Sequence, residues 1–500
     1  MRRSLTILLL CCSLSSFALV PPRDPAQRAE WYAQIEAQRK SEAQRTGAAY
    51  MPAATQVIGG RTMIPRVLVI MVNFSNYELI STPAEVDSMF NGMNWTKDGA
   101  TGSVRQYFYD QSMGQYNPQF DIVGPVTLSK GYSEYGSGKT VVAEACGLVD
   151  ATVDFSLYDS DNNGQVDLVY VFYAGFGRND EDYIKEELIP DPSVLIWPQY
   201  VSNCNCGTYD GKKVTACEYS NELDGFFSTV GNLVLAGIGV PCHEYCHALG
   251  LPDLYDTKYT HNQKLLGEWD LMCDGPYNNG ANTPPSLSAY ERFFLGWLTP
   301  TLITEADDLV LTDIASSNQA FLISENDKHN LDGLAPDTTV FYLLENRLLN
   351  LTNKGWDIGI PGEGLLITRI NYQPSRWSSN IVNNTVGYFG VDLIEADGLT
   401  PTFNASDLDN GYAGKPGDAF PCGATEYTDI TDHAITNITF EDGIIRFAYR
   451  GGKPTDPTID MTAEAHPTNT YKTIKNGKLL IHANGRTYTP LGVVQTQEPQ

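Results

Sequence analysis

The chain has 500 residues, 60 acidic against 33 basic, with a formal net charge of −27 and 42% hydrophobic residues. Such acidity argues against nucleic-acid binding and gives no attraction to anionic membranes, while it suits a soluble exported protein that holds divalent cations. The length predicts two or three domains, and no stretch approaches the roughly 18–20 apolar residues of a membrane-spanning helix.

Residues 1–18 read as an export signal: Arg2 and Arg3, an apolar run at 7–10, then Ser16-Phe17-Ala18 as a small-x-small cleavage site. Cys11 and Cys12 are not preceded by the small residue that a lipoprotein signal requires. The protein is therefore expected to be secreted or held at the cell surface. Residues 19–60 are polar and rich in helix formers between Ala26 and Arg45, without a strong apolar stripe, and read as a pro-segment or N-terminal arm. That segment has neither cysteine nor histidine, so a zymogen would need another blocking group, for which Asp24 is a candidate. Residues 67–72 open the globular part as a buried strand; 104–112 read as helix, 119–128 and 166–174 as strands, and another strand is expected near 214–219. Alternating strands and helices across 61–300 predict an α/β (α+β) catalytic unit. From 301 to 451, short apolar runs at 309–311, 320–323, 340–344, 365–370, 390–394 and 444–449 predict an all-β, sandwich-like domain. A Gly/Pro-rich linker spans 451–465, and residues 452–500 are read as linker followed by a hairpin turning at Asn484-Gly485.

Residues 243–253, His-Glu-Tyr-Cys-His-Ala-Leu-Gly-Leu-Pro-Asp, carry most of the chemistry. On a helix, His243 and His247 project from one face about one turn apart, the reach needed to share one metal ion. Glu244 lies where it could polarise a metal-bound water. Gly250 can end the helix in a left-handed conformation, and the returning chain brings Asp253 toward the same ion as a third ligand. Three protein ligands leave a zinc with one open position, the catalytic arrangement. A lone histidine pair at this spacing is more often a surface or core feature. With 7 histidines in the chain, however, a chance His-Glu-x-x-His arises in roughly one such chain in a couple of hundred. The expected chemistry is hydrolysis of proteins or peptides, with Glu244 as general base and then general acid.

Three further groups stand out. Met272, in Trp269-Asp-Leu-Met-Cys-Asp-Gly-Pro, resembles the Met-turn beneath the metal of metzincins, with ordinary core as the alternative. Asp159, Asp161, Asn163, Gln165 (through its carbonyl) and Asp167, with Gly164 at the sixth place, match calcium-loop spacing. Tyr170 replaces the usual glutamate at position twelve, and a plain Asx-rich turn is the alternative. Of 10 cysteines, removing Cys11 and Cys12 leaves eight, and export makes disulfides the default expectation. Cys204, Cys206 and Cys217 read as a stapled hairpin; a cysteine zinc cluster is the weaker alternative, because no Cys-x-x-Cys occurs. The segment 214–222 is a candidate substrate-pairing edge strand.

From about Val67 to Arg450 the chain resembles the immune inhibitor A family of secreted zinc metallopeptidases. The likeness rests on Gln111-Ser-Met-Gly-Gln-Tyr116, the Asp-rich loop, Ile196-Trp-Pro198, Leu251-Pro-Asp-Leu-Tyr-Asp256 and Trp269-Asp-Leu-Met272. It continues through Leu295-Gly-Trp297, Glu345-Asn-Arg347, Gly355-Trp-Asp357, Pro361-Gly-Glu-Gly364 and Glu395-Ala-Asp397-Gly. The resemblance implies a metzincin-like domain followed by a β-sandwich, zinc on His243, His247 and Asp253, Glu244 as catalytic base, and bound calcium. Cys246 and Cys273 depart from the family's small residues, which raises the hypothesis of a disulfide between helix and Met-turn; Gln199 stands where histidine is expected. The tail at 475–492 resembles the end of a type IX secretion sorting domain, although a generic hairpin fits it too; that secretion machinery would be a partner. Competing readings are a surface adhesion protein with a structural metal and a zinc hydrolase of a non-peptide substrate. Glu244 weighs against the first, since a structural site has no use for it.

Overall fold

The computed structural model describes residues 57–58, 60–261, 263, 265–349, 355–400 and 414–453, isolated helical positions at 33 and 37, and three strands between 471 and 488. The export signal, Asp24 with nearly all of the pro-segment, and most of the linker lie outside the described residues. Two compact units result, Met1–Lys453 and Pro454–Gln500. In the second, Tyr471–Lys475, Lys478–Ala483 and Arg486–Tyr488 form an antiparallel sheet, so the expected hairpin exists with one strand before it. Among the described residues no helix is long and apolar enough to cross a membrane.

The first unit is a mixed α/β structure with several sheets and few helices. Its elements begin with β1 (Arg66–Asn73), α1 (Pro83–Asn91), α2 (Val104–Gln111), β2 (Gln119–Thr127), α3 (Gly138–Val149) and β3 (Val169–Phe176). There follow β4 (Gln199–Val201), β5 (Cys217–Leu223), α4 (Gly239–Ala248) and α5 (Ala289–Phe294). The five strands form one sheet in the order β2-β1-β3-β5-β4. All neighbours run parallel except β4, an antiparallel edge strand. Side chains alternate between faces: Val67, Val69 and Met71 of β1 join one apolar cluster, while Leu68, Ile70 and Val72 join another. The first cluster holds Cys242, Tyr245 and Cys246 of α4; the second holds Val141, Val142 and Ala145 of α3. With helices on both faces, β1 can be apolar throughout, which is why its run reads as continuous rather than alternating.

The expected edge strand at 214–222 needs correction. Strand β5 pairs with β3 on one side and β4 on the other, so it is interior and β4 forms the edge. Polar residues alternate along it at Glu218, Ser220 and Glu222, yet every residue of β5 is buried.

Beyond residue 300 strands dominate. β6 (Thr301–Leu302), β8 (Phe321–Ser324), β9 (Phe341–Arg347), β10 (Gly364–Ile370) and β11 (Val391–Leu393) form a five-stranded sheet in that order. β7 (Asp307–Leu311), β13 (Ile444–Tyr449) and β12 (Ile435–Glu441) form a second sheet of three. Alternation again divides the larger sheet. Tyr342 and Leu344 share a cluster with Ile435, Ile445 and Phe447 of the smaller sheet, whereas Phe341 and Leu343 join the cluster that contains α4 and α5. One apolar core therefore runs across residue 300.

Candidate metal centre

Helix α4 ends as its sequence requires. Gly250 has φ +100°, its N–H donates to His247 O at 2.9 Å, and the Leu251 N–H donates to Cys246 O at 3.0 Å. This pair of bonds is a Schellman closure, which a side chain at position 250 would strain. The chain turns back and brings Asp253 to the helix: Asp253 Oδ1 lies 3.2 Å from both His243 Nε2 and His247 Nε2. The other ring nitrogens are committed. His243 Nδ1 lies 2.8 Å from Leu271 O, and His247 Nδ1 lies 2.8 Å from Leu251 O. A carbonyl only accepts, so each Nδ1 carries a proton, and in the neutral ring Nε2 is left as a lone-pair donor aimed at Asp253. Asp253 Oδ1 is buried and hydrogen-bonded to no other group. Two imidazole nitrogens and one orphaned carboxylate oxygen, converging in a buried pocket, fit the donor set of a three-ligand zinc site.

The electrostatics agree. Burial works against charge on His247, but the Asp253 carboxylate and then Glu244 outweigh it and push the imidazole up to about 9. Burial also opposes the charge on Asp253, yet the two imidazoles hold it well below the usual carboxylate range. The pocket is thus built to retain positive charge.

Asp253 is held from beyond residue 300. Its N–H donates to Asn380 Oδ1 at 2.7 Å, and Asn380 Nδ2 donates to Asp253 Oδ2 at 2.6 Å. Asn383 Nδ2 donates to Leu254 O at 2.8 Å, while Asn384 Oδ1 accepts from the Thr257 N–H at 3.1 Å. Three asparagines at i, i+3 and i+4 therefore clamp the ligand-bearing bend, and nothing in their local sequence marks them.

The turn at 269–275 lies beneath the helix. Leu271 O receives His243, the Leu254 N–H donates to Met272 O at 2.8 Å, and the Met272 side chain is fully buried in the core. Arg347 Nη1 donates to Trp269 O at 3.2 Å while its Nε and Nη2 grip Asp357 at 3.0 and 2.7 Å, and Glu345 lies 3.2 Å away. The Glu-Asn-Arg and Gly-Trp-Asp segments thus meet under the turn at 269–275. Cys246 carries a free thiol, so the hypothesised bridge to Cys273 is not made.

Glu244 is buried, and desolvation raises its carboxyl. The Tyr200 N–H of edge strand β4 donates to Glu244 Oε2 at 2.7 Å. Tyr200 and Tyr255 flank the imidazoles, their rings stacked on His247 and His243 with centroids 6.4 Å away in each case. Gln199, at the position of the missing histidine, donates from Nε2 to Tyr219 OH at 2.6 Å and makes a structural contact.

The Asp-rich loop does gather its acids: Asp159, Asp161 and Asp167 bring one oxygen each within 4.8 Å of one another. Their oxygens accept local N–H groups of Ser160, Asn163 and Gly164, the bonding of an Asx-rich turn, and Lys212 Nζ sits 2.5 Å from Asp159 Oδ2. Asn163 Oδ1 is taken by the Gln165 N–H at 2.8 Å, and Gln165 Oε1 by Thr215 Oγ1 at 2.7 Å.

Residues 202–297 match the family described as immune inhibitor A peptidase M6, catalytic domain. That span contains the three expected ligands, Glu244 and Met272. A pre-pro-metalloprotease PrtV of Vibrio cholerae serotype O1 is 25% identical over 241 residues, covering 42% of this chain and 25% of that protein. Immune inhibitor A of Bacillus thuringiensis subsp. alesti is 24% identical over 297 residues, covering 49% of this chain and 41% of that protein. The chain thus spans well under half the length of these relatives. The family resemblance read from the sequence is shown over its catalytic segment.

Proposed function

We propose that this chain, which carries a peptidase M6 catalytic segment, is an exported zinc endopeptidase acting on protein substrates. The observation that carries the proposal is the meeting of Asp253 Oδ1 with His243 Nε2 and His247 Nε2, each at 3.2 Å, with both Nδ1 atoms already committed. His243, His247 and Asp253 would hold the metal, which when bound supplies Lewis acidity toward a carbonyl and a lowered pKa for water. Glu244 takes the proton of the attacking water and later passes it to the leaving amine. Burial moves its carboxyl up, toward the range in which such a base works. Tyr200 holds the Oε2 end of that carboxylate, so the edge strand and the base are registered with each other. Strand β4, short and antiparallel at the sheet edge, is the place for an extended peptide to lie.

The reading includes export by the leader, latency through the pro-segment and sorting through the tail. Residues 61–300 hold the catalytic groups, with the β-rich 301–451 as a buttress. Calcium on the loop of Asp159, Asp161, Asn163, Gln165 and Asp167 is part of the proposal on its spacing alone, and the Lys212 ammonium would have to leave Asp159. Casein hydrolysis by the mature protein is the test: it should be blocked by chelators, restored by zinc and abolished by Glu244→Gln. Chelator-resistant hydrolysis, or Glu244→Gln at wild-type rate, would refute the assignment.

A further inference from the structure

A second group of metal-ligating side chains lies on the other face of the sheet, where the loop between β4 and β5 meets α3. Cys204, Cys206 and Cys217 are all buried, and their sulfurs lie within 4.8 Å of one another. The backbone produces this convergence. The Cys204 N–H donates to Thr215 O and the Cys206 N–H to Val214 O, each at 2.9 Å, so residues 204–206 run alongside 214–215, just ahead of Cys217 at the start of β5. Helix α3 closes the group. Cys206 Sγ approaches Lys139 O at 3.5 Å and Tyr209 OH donates to Ala143 O at 3.3 Å. Lys139, Ala143 and Cys146 fall at i, i+4 and i+7, one face of the helix, and Cys146 is buried in the same apolar cluster as the other three. Burial and then the neighbouring sulfurs of Cys206 and Cys204 push the Cys146 thiol up.

We propose that Cys204, Cys206 and Cys217 form the core of a second metal site for a thiophilic divalent cation of the zinc class, distinct from the His243–His247–Asp253 centre, and that Cys146, in the same apolar cluster, moves in to complete it. Three mutually close sulfurs are what a thiolate site needs and more than a disulfide can use. One bridge would leave a third thiol pressed against it in an apolar layer. Around a tetrahedral ion with metal–sulfur bonds near 2.3 Å, sulfurs stand about 3.8 Å apart, within the 4.8 Å separation of Cys204, Cys206 and Cys217. Each thiol gives up its proton on binding, and burial excludes water, so the site is structural. Its effect would reach the active centre along the chain: β4 ends three residues before Cys204, and its Tyr200 holds Glu244.

The test is metal counting on the full chain, purified without reductant, with the catalytic site removed by His243→Ala/His247→Ala. This double variant leaves every cysteine in place, and we expect one equivalent of zinc to remain. Cobalt in its place should give thiolate-to-metal charge-transfer bands, and the four thiols should alkylate only after chelation under denaturing conditions. Cys146→Ser in that background should weaken zinc binding at least about tenfold; unchanged affinity would overturn the four-sulfur site. Loss of all zinc from the double-histidine variant, or a disulfide among these four cysteines in non-reducing peptide maps, would overturn the proposal while leaving the catalytic assignment intact.

Discussion

Removing the Asn380 amide should weaken the metal centre although Asn380 is itself no ligand. Its two bonds to Asp253 run at 2.6 and 2.7 Å, and one is a charge-assisted bond to the carboxylate oxygen opposite the ligating one. A hydrogen bond to a charged group contributes about 1.5–3 kcal/mol, equivalent to roughly 10–150-fold in binding at 1.4 kcal/mol per decade. Outer-shell partners of metal ligands typically cost about 10–100-fold on mutation, the same range. Asn380→Ala should therefore raise the zinc dissociation constant by about 10–100-fold, measured by competition against a chromophoric chelator. Its kcat at saturating zinc should fall less. Asn380→Asp sets a second carboxylate against Asp253 and should do worse, whereas a purely structural role predicts equal loss of melting temperature in both without a change in affinity. A folded Asn380→Ala protein binding zinc within about threefold of wild type would refute the clamp, since that is below the weakest effect expected of an outer-shell partner.

Zinc affinity should fall as pH falls. His247 titrates at about 9 in the metal-free pocket, so below that value an imidazolium competes with the ion, and the dissociation constant should rise about tenfold per pH unit; a flat profile between pH 6 and 8 would contradict this. The same raised pKa stabilises the chelated protein fully below about 6.5 and no longer above about 9, so its urea midpoint should drop over that interval, and less so in His247→Gln. Arg347→Met leaves Asp357 and Glu345 buried without their cation and should cost about 3–5 kcal/mol of unfolding free energy. Adding Asp357→Leu should recover part of it, and strict additivity in that double-mutant cycle would argue against the pairing. Gly250→Ala should destabilise by about 1–2 kcal/mol, the cost of a left-handed residue with a Cβ, and unchanged stability would show that the turn can relax.

What could be read from the sequence follows contact distance along the chain. All three expected ligands lie within eleven residues, so helix periodicity and one glycine were enough to bring them together. Strand β1 was legible because both its faces are buried and its run is unbroken. Strand β5 misled because Glu218, Ser220 and Glu222 mimic a solvent face. In the fold Ser220 bonds Tyr170, and Glu222 accepts from Ile80 and Ser81. Both Glu218 oxygens are buried without a partner, and burial, then the charge of Glu244, drives that carboxyl well above its ordinary range. Polar residues spent on internal partners cannot be told from exposed ones by pattern alone. Helix α3 went unread because Val141, Val142 and the glycines in its first and last turns, Gly138 and Gly147, dilute its propensity.

The asparagine clamp lay beyond reach for a different reason. Asn380 contacts Asp253 across 127 residues, and no local pattern encodes such a pairing. Its logic appears only when the sheet of β8, β9 and β10 is seen to face two ways. One face closes the smaller β layer, and the other presents Phe341 and Leu343 to the core beneath α4. Arg347, at the end of β9, reaches Trp269 O on the turn beneath the helix, and the chain after β10 supplies Asn380. The two imidazoles take nearer partners, since their Nδ1 acceptors, Leu251 O and Leu271 O, lie 4 and 28 residues along the chain. The third ligand sits on a bend with no regular structure of its own, and its aim is set by groups from past residue 300. On the proposed zinc site the β-rich region would therefore belong to the centre, since it holds the Asp253 carboxylate.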